Sequence, residues 1–216
     1  MAGLFGGGQN AKKTPRYTQI QLQTSAQGVC IPIVWGRARI GTNLIWYGDF
    51  KSYAQKQKVG KGGLFGGGSA STYYYYTAVI MGLCEGPIQA IGDVWAGSSL
   101  TTLQYLNLGL AYGGKGQAPW SYMTAHHPTQ ALGYTQTAYV FSSFYSLGTS
   151  PSLPSHNFEI VGFFSGTMPG TPDVNPADVI QDMLTNVQYG LALPTSSIAD
   201  LTQMRRSSGY CPIPTN

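Results

Sequence analysis

The chain has 216 residues, enough for one sizeable domain to bury roughly 70% of its unfolded surface without disulfides or metals. Hydrophobic residues make up 43%, which excludes global disorder, while charged residues make up only 9% against about 25% in an average soluble domain. So sparse a charge argues against a freely diffusing enzyme and for a subunit packed against others.

Residues 1–15 are Gly-rich and polar and read as a flexible arm. Their core, Gly3-Leu4-Phe5-Gly6-Gly7-Gly8, recurs as Gly63-Leu64-Phe65-Gly66-Gly67-Gly68. A Leu-Phe pair between glycines is a small apolar knob on a pliable tether, suited to a neighbour's pocket, though two copies set no repeat period. From Tyr17 the pattern turns to β: Ile20 and Leu22 alternate with glutamines, and 29–35 and 43–50 read as a paired hairpin. Residues 51–71 read as a long basic, Gly-rich loop. The strongest strand is 72–81, with Tyr73, Tyr74, Tyr75 and Tyr76 pointing alternately to both faces, so neither face is expected to be freely solvated. A turn at Glu85-Gly86-Pro87 returns into a strand over 88–95.

Loop dominates 109–135, with a helical turn at 120–125, and strands follow at 137–145 and 156–164. Beyond Pro172 the period changes. Asn175 caps a helix, Pro176 takes its first position and Asp178 sits in its first turn. Ile180, Met183, Leu184 and Val187 are expected on one face, Gly190 stops the helix, and a second short helix is expected near Ser197. The predicted fold class is β-rich α+β, antiparallel strands forming a barrel- or sandwich-like domain over 16–170, with 171–216 a helical segment where a further domain would begin.

Chemistry is thin. Residues 109–116 have the spacing of a phosphate-binding loop, but Gly116 replaces the Ser/Thr and Pro119 forbids the helix that should follow. His126, His127 and His156 have no ligand partners at metal spacing. Cys30, Cys84 and Cys211 are far apart and read as free thiols. The acids are scattered singly, with no nucleophile elbow and no carboxylate pair, and Glu85 is the one to watch. No catalytic residue, cofactor, metal site or small-molecule substrate is therefore assigned. No apolar run approaches the ~18 residues of a membrane span, and the N-terminus lacks a secretory signal's pattern, so synthesis in a host cytoplasm is expected.

Charge is uneven. Residues 1–61 hold nine Lys/Arg and one acid, Asp49, whereas 62–216 hold three basic and seven acidic residues. A basic stretch serves a nucleic-acid partner or an acidic neighbouring subunit. The lack of Arg-rich helices favours the neighbour. Candidate subunit-interface residues are thus Leu4, Phe5, Lys56, Lys58, Lys61, Leu64, Phe65, Tyr73, Tyr74, Tyr75 and Tyr76.

Several ordered segments carry a resemblance: 31–50 (IPIVWGRARIGTNLIWYGDF), 81–97 (MGLCEGPIQAIGDVWAG), 130–134 (QALGY), 152–160 (SLPSHNFEI) and 173–180 (DVNPADVI). Together, over roughly 15–203, they resemble the lambda-like tail tip attachment, or central tail hub, proteins of long-tailed bacteriophages. Members are usually longer, so the N-terminal part of such a protein is implied. The resemblance implies a virion protein at the distal end of the tail, in a homo-oligomer with threefold symmetry. It implies contacts with the distal tail protein, the tape-measure protein and a remaining hub or fibre chain, and a share in host attachment and DNA delivery. Tail-associated cell-wall-degrading enzymes are the alternative, and nucleic-acid binding through the basic N-terminal region is a second alternative.

Overall fold

The computed structural model describes residues 16–19, 30–59, 68–164 and 173–198. The fold is the β-rich α+β class expected, with 45% of the described residues in strands. The strands are β1 (Arg37–Gly41), β2 (Asn43–Val59), β3 (Gly68–Glu85), β4 (Ala90–Ala96), β5 (Ser99–Thr101), β6 (Gly109–Ala111), β7 (Thr137–Gly148) and β8 (His156–Val161). Two helices, α1 (Ser121–His126) and α2 (Pro176–Thr185), and two 3-10 turns at Pro128–Gln130 and Thr195–Ser197 complete them.

The strands form two four-stranded antiparallel sheets, ordered β1-β8-β4-β5 and β2-β3-β7-β6. One apolar core serves both in a sandwich-like arrangement. From the second sheet it takes Tyr75, Val79, Met81, Val140 and Tyr145, and from the first Val94, Phe158 and Ile160. Full burial of each such aliphatic or aromatic side chain is worth about 1.5–3 kcal/mol. A smaller cluster, Ile80, Met123 and Tyr139, lies on the opposite face of the second sheet, where α1 and the rings of Trp46, Trp120 and Phe141 cover it. β3 is therefore covered on both faces along its C-terminal half, which explains its continuous apolar run.

The 29–35/43–50 hairpin does not form. β1 begins two residues after Trp35 and pairs with β8, while β2 leaves for the other sheet one residue later, at Thr42. The segment before β1 instead runs against the end of β8, with Phe163 N–H donating to Val34 O and Gly162 N–H to Gly36 O, both at 2.8 Å. Gly162 allows that approach, since a Cβ there would stand 2.1 Å from the Val34 carbonyl.

The loop expected over 51–71 is also corrected. β2 continues to Val59 and β3 starts at Gly68, with an unbroken register from Lys51↔Tyr76 to Val59↔Gly68. Pairing here is backbone-driven. The side chains of 51–56 are mostly polar and exposed, so hydrophobic alternation gives no signal. β7 accompanies β3 only as far as Gly148↔Tyr75, and beyond that point β2 and β3 form a two-stranded ribbon. The ladder between β2 and β3 has one extra β2 residue between Leu44 and Trp46 and another between Gly48 and Lys51. At the second bulge Asp49 is left-handed (φ 51°), and Thr77 Oγ1 donates to the freed Gly48 carbonyl at 2.8 Å.

α2 starts as the sequence predicts. Asn175 caps it by accepting from Ala177 N–H, with Pro176 at the first position. It ends at Thr185, and its supposed core face is open, Met183 being 51% and Val187 86% exposed. Polar contacts rather than an apolar stripe hold this helix. Thr195–Ser197 form a 3-10 turn, and the body of the second helix expected from Ser197, like the Ile20–Leu22 strand, lies outside the described residues.

Candidate assembly surface

The outer face of the second sheet carries a row of aromatic rings contributed by three strands. Tyr53 of β2 meets Tyr76 of β3 edge-on at 5.6 Å, and Tyr76 stacks on Phe144 of β7 at 4.2 Å. Tyr53 also meets Phe144 at 6.1 Å. Tyr53 is 51% and Phe144 41% exposed, so the row faces outward at the base of the ribbon. Rigid amphipathic rings in such a cluster are what interfaces favour, because little conformational entropy is lost on contact. Lys51 and Lys56 flank it on β2, both exposed.

The four tyrosines divide by face. Tyr74 and Tyr76 look outward and stay half-buried, while Tyr73 packs against the core and Tyr75 is only 1% exposed. Tyr75 stacks on Phe50 at 5.6 Å and accepts from Tyr17 N–H at 3.2 Å through its hydroxyl. Tyr75 is thus a core residue and leaves the set of interface candidates. Lys58 pairs with Ser69 in the ribbon ladder, and Leu4, Phe5, Lys61, Leu64 and Phe65 lie outside the described residues. Tyr53 and Phe144 were not legible as candidates: only the register brings them to Tyr76, across 23 and 68 positions.

A polar cluster ties α1 to β2. One Asp49 carboxylate oxygen accepts from the Tyr122 hydroxyl at 2.7 Å and meets His127 Nε2 at 2.7 Å. Trp46 lies 5.0 Å from the His127 ring and donates through Nε1 to Gln130 Oε1 at 2.7 Å. The Tyr122 hydrogen bond, then His127, hold the Asp49 carboxyl below the usual carboxylate range. Burial and the same hydrogen bond push the Tyr122 hydroxyl up to about 12. An Asp–His pair is a fragment of a hydrolytic triad, which would also need a nucleophile within hydrogen-bond reach of the imidazole. Here the Asp49 carboxylate is bonded to both the His127 imidazole nitrogen and the Tyr122 hydroxyl, and the arrangement works as a latch.

A second cluster holds α2. Asp182 accepts from Trp35 Nε1 at 2.9 Å and the Tyr189 hydroxyl at 2.7 Å, and Gln188 donates to Glu85. Burial raises the Glu85 carboxyl above its ordinary value. Glu159 sits in the other sheet, beside Arg37 at 3.8 Å, and accepts from Asp93 N–H. Glu85 and Glu159 therefore do not form a pair. Among the described residues no group of three or more His, Cys, Asp or Glu is placed to hold a metal, and no helix is long and apolar enough to cross a membrane. Residues 109–116 form β6 and a loop whose Gly113 N–H is bound by Gln117 Oε1, with no helix behind it.

An apolar cavity of about 340 Å³ opens where β1 passes into β2, lined by Cys30, Ile31, Ile40, Ile45 and Leu83 among others. Ile31, at its mouth, is 47% exposed.

No protein-family model matches the chain, and no curated protein matches it. Among solved structures it is similar to a chain of the virion of a native gene transfer agent (GTA) particle. The identity is 20% and the TM-score 0.48, over 92% of this chain and 42% of that one. This chain thus spans less than half the length of the one it matches. A likeness of this degree fixes neither fold nor role.

Among the described residues the basic side chains do not gather into one face. Arg39 stacks on Trp95 at 4.0 Å and Arg37 lies beside Glu159, both on the first sheet, whereas Lys51 and Lys56 are on the second. A nucleic-acid track would need them aligned.

Proposed function

We propose that the chain is a structural subunit of a long-tailed phage tail tip, the N-terminal part of a baseplate hub. In this reading it serves distal tail assembly, host attachment and DNA delivery. The observation that carries it is the β2–β3 ribbon with its exposed aromatic row. A two-stranded ribbon of polar residues gains little from its own body and is marginal alone in water. Next to an open patch of Tyr53, Tyr76 and Phe144 it makes sense as a contact element. The low charge of the chain and the ordered sequence segments resembling tail hub proteins support the same reading. Partners in this reading are further copies, in a trimer, together with the distal tail protein, the tape-measure protein and a remaining hub or fibre chain. The cell-wall-cleaving alternative lacks a carboxylate pair among the described residues.

The test is mass spectrometry of purified particles with copy number relative to the tail-tube protein, paired with antibody labelling in the electron microscope. The expected result is a few copies per particle and label at the distal tail end. Absence from particles, or label on the head, would sink the proposal.

A further inference from the structure

We infer that the apolar cavity beside the β1–β2 turn receives Leu64 and Phe65 of a second copy of this chain, so that copies join head to tail. This rests on the reading of the chain as an assembling subunit and names one of its contacts.

Three observations lead there. The first is size and chemistry. The cavity's about 340 Å³ corresponds to the liquid volume of roughly ten waters, comparable to one Leu and one Phe side chain together. Its walls are Ile31, Ile40, Ile45, Leu83 and the Cys30 thiol, which offer an apolar guest contact and a polar one little. The matching object in this sequence is the Leu64-Phe65 pair between glycines.

The second is placement. Residues 60–67 join Val59 to Gly68 in the sequence, and those two form the last pair of the ladder. The cavity is lined by Asn43, Ile45 and Gly82, at the near end of the same ladder, where Asn43 pairs with Gly82. From Ile45 to Val59 the strand runs for about 45 Å at ~3.3 Å per residue. Five residues of chain from Val59 to Leu64 reach about 17 Å. The pair cannot fold back into its own cavity and must meet another molecule's. Knob and cavity at opposite ends make a heterologous contact, the kind that generates rings when the rotation closes.

The third is charge. Residues 51–61 carry Lys51, Lys56, Lys58 and Lys61 with no acid. Beside the cavity, Glu85 stands two positions beyond Leu83 on β3, and its N–H donates to the carbonyl of Pro32, a lining residue. A lysine-rich stretch meeting this one carboxylate, which also accepts from Gln188, orients the approach.

The test uses the full chain in analytical ultracentrifugation. Phe65→Ser removes the knob, and Ile31→Lys places a charge at the half-exposed cavity mouth; thermal melting verifies that both variants fold. The wild-type chain is expected to associate with rising concentration, and each variant alone to associate roughly tenfold more weakly or worse. An equimolar mixture of the two should form a 1:1 dimer and nothing larger, because one intact knob meets one intact cavity. A wild-type chain that stays monomeric, a Phe65→Ser variant that associates like the wild type, or a mixture without dimer would each overturn the inference. Loss of association in Phe5→Ser but not in Phe65→Ser would overturn it too, assigning the cavity to the other Leu-Phe pair. Should Ile31→Lys not fold, Phe65→Cys replaces it. On oxidation it should link to Cys30 of a second copy, and a dimer that persists after Cys30→Ser would count against the contact. Particle mass spectrometry can succeed while this test fails, so the two readings stand or fall separately.

Discussion

Tyr75 and Tyr76 are adjacent, chemically identical, and differ wholly in environment. One is sealed between Phe50 and Tyr17, the other forms the middle of an open aromatic row. The same contrast between inside and outside governs the histidines. His127 is part of the α1 latch, whereas His156 is buried, its Nε2 sharing a hydrogen bond of 2.6 Å with the Tyr145 hydroxyl. Burial holds the His156 imidazole below its ordinary 6.5. Between that lowered value and about 6.5 the unfolded chain binds more protons than the folded one, so stability is present above this window and lost as pH falls through it. The urea midpoint of the wild-type chain should therefore drop between about pH 7 and pH 5. His156→Phe should be less stable at neutral pH by about 1–3 kcal/mol, since the buried Tyr145 hydroxyl loses its partner, and should show a shallower slope. An unchanged slope in the variant would show that His156 is not the group responsible.

At the level of elements, the ribbon separates from the body at a definite place, the end of the β7 ladder at Gly148↔Tyr75. Replacing 56–71 by a two-residue Asn-Gly turn should move the melting temperature by no more than a few degrees, because almost none of the shared core is removed. The same deletion should abolish self-association. A collapse in melting temperature would mean that the ribbon belongs to the folding unit. β3, β4, β7, β8 and the start of α2 were legible because their signals are local: apolar runs bounded by Gly and Pro, and an Asn-Pro cap. The partner of β1, the extent of β2 and the Asp49–His127 latch were not. β1 meets β8 across a separation of well over 100 positions, and the ribbon's side chains leave no periodic trace. The aromatic row depends on a three-strand register that no single strand reveals.

For the molecule as a whole, both sheets contribute to one core, with Phe158 and Ile160 of the first packed into the same cluster as Val79 and Met81 of the second. The main core is common to both sheets, the second adding only the small Ile80, Met123 and Tyr139 cluster under α1, so far-ultraviolet and near-ultraviolet circular dichroism should report one coincident thermal transition. Two separated transitions would divide the molecule where the shared core says it is undivided. Between Trp46 and Tyr53 the β2 strand carries one surplus residue, at the Asp49 bulge. Because a strand's side chains repeat with period two, that residue acts as a half-period phase shift between Trp46 and Tyr53. It lets residues seven apart share the outer face of the sheet. Excising Asp49 would leave the two six apart, an even spacing that keeps both on the outer face of an unbulged strand, so the aromatic row should survive while the left-handed kink and its Thr77 contact disappear.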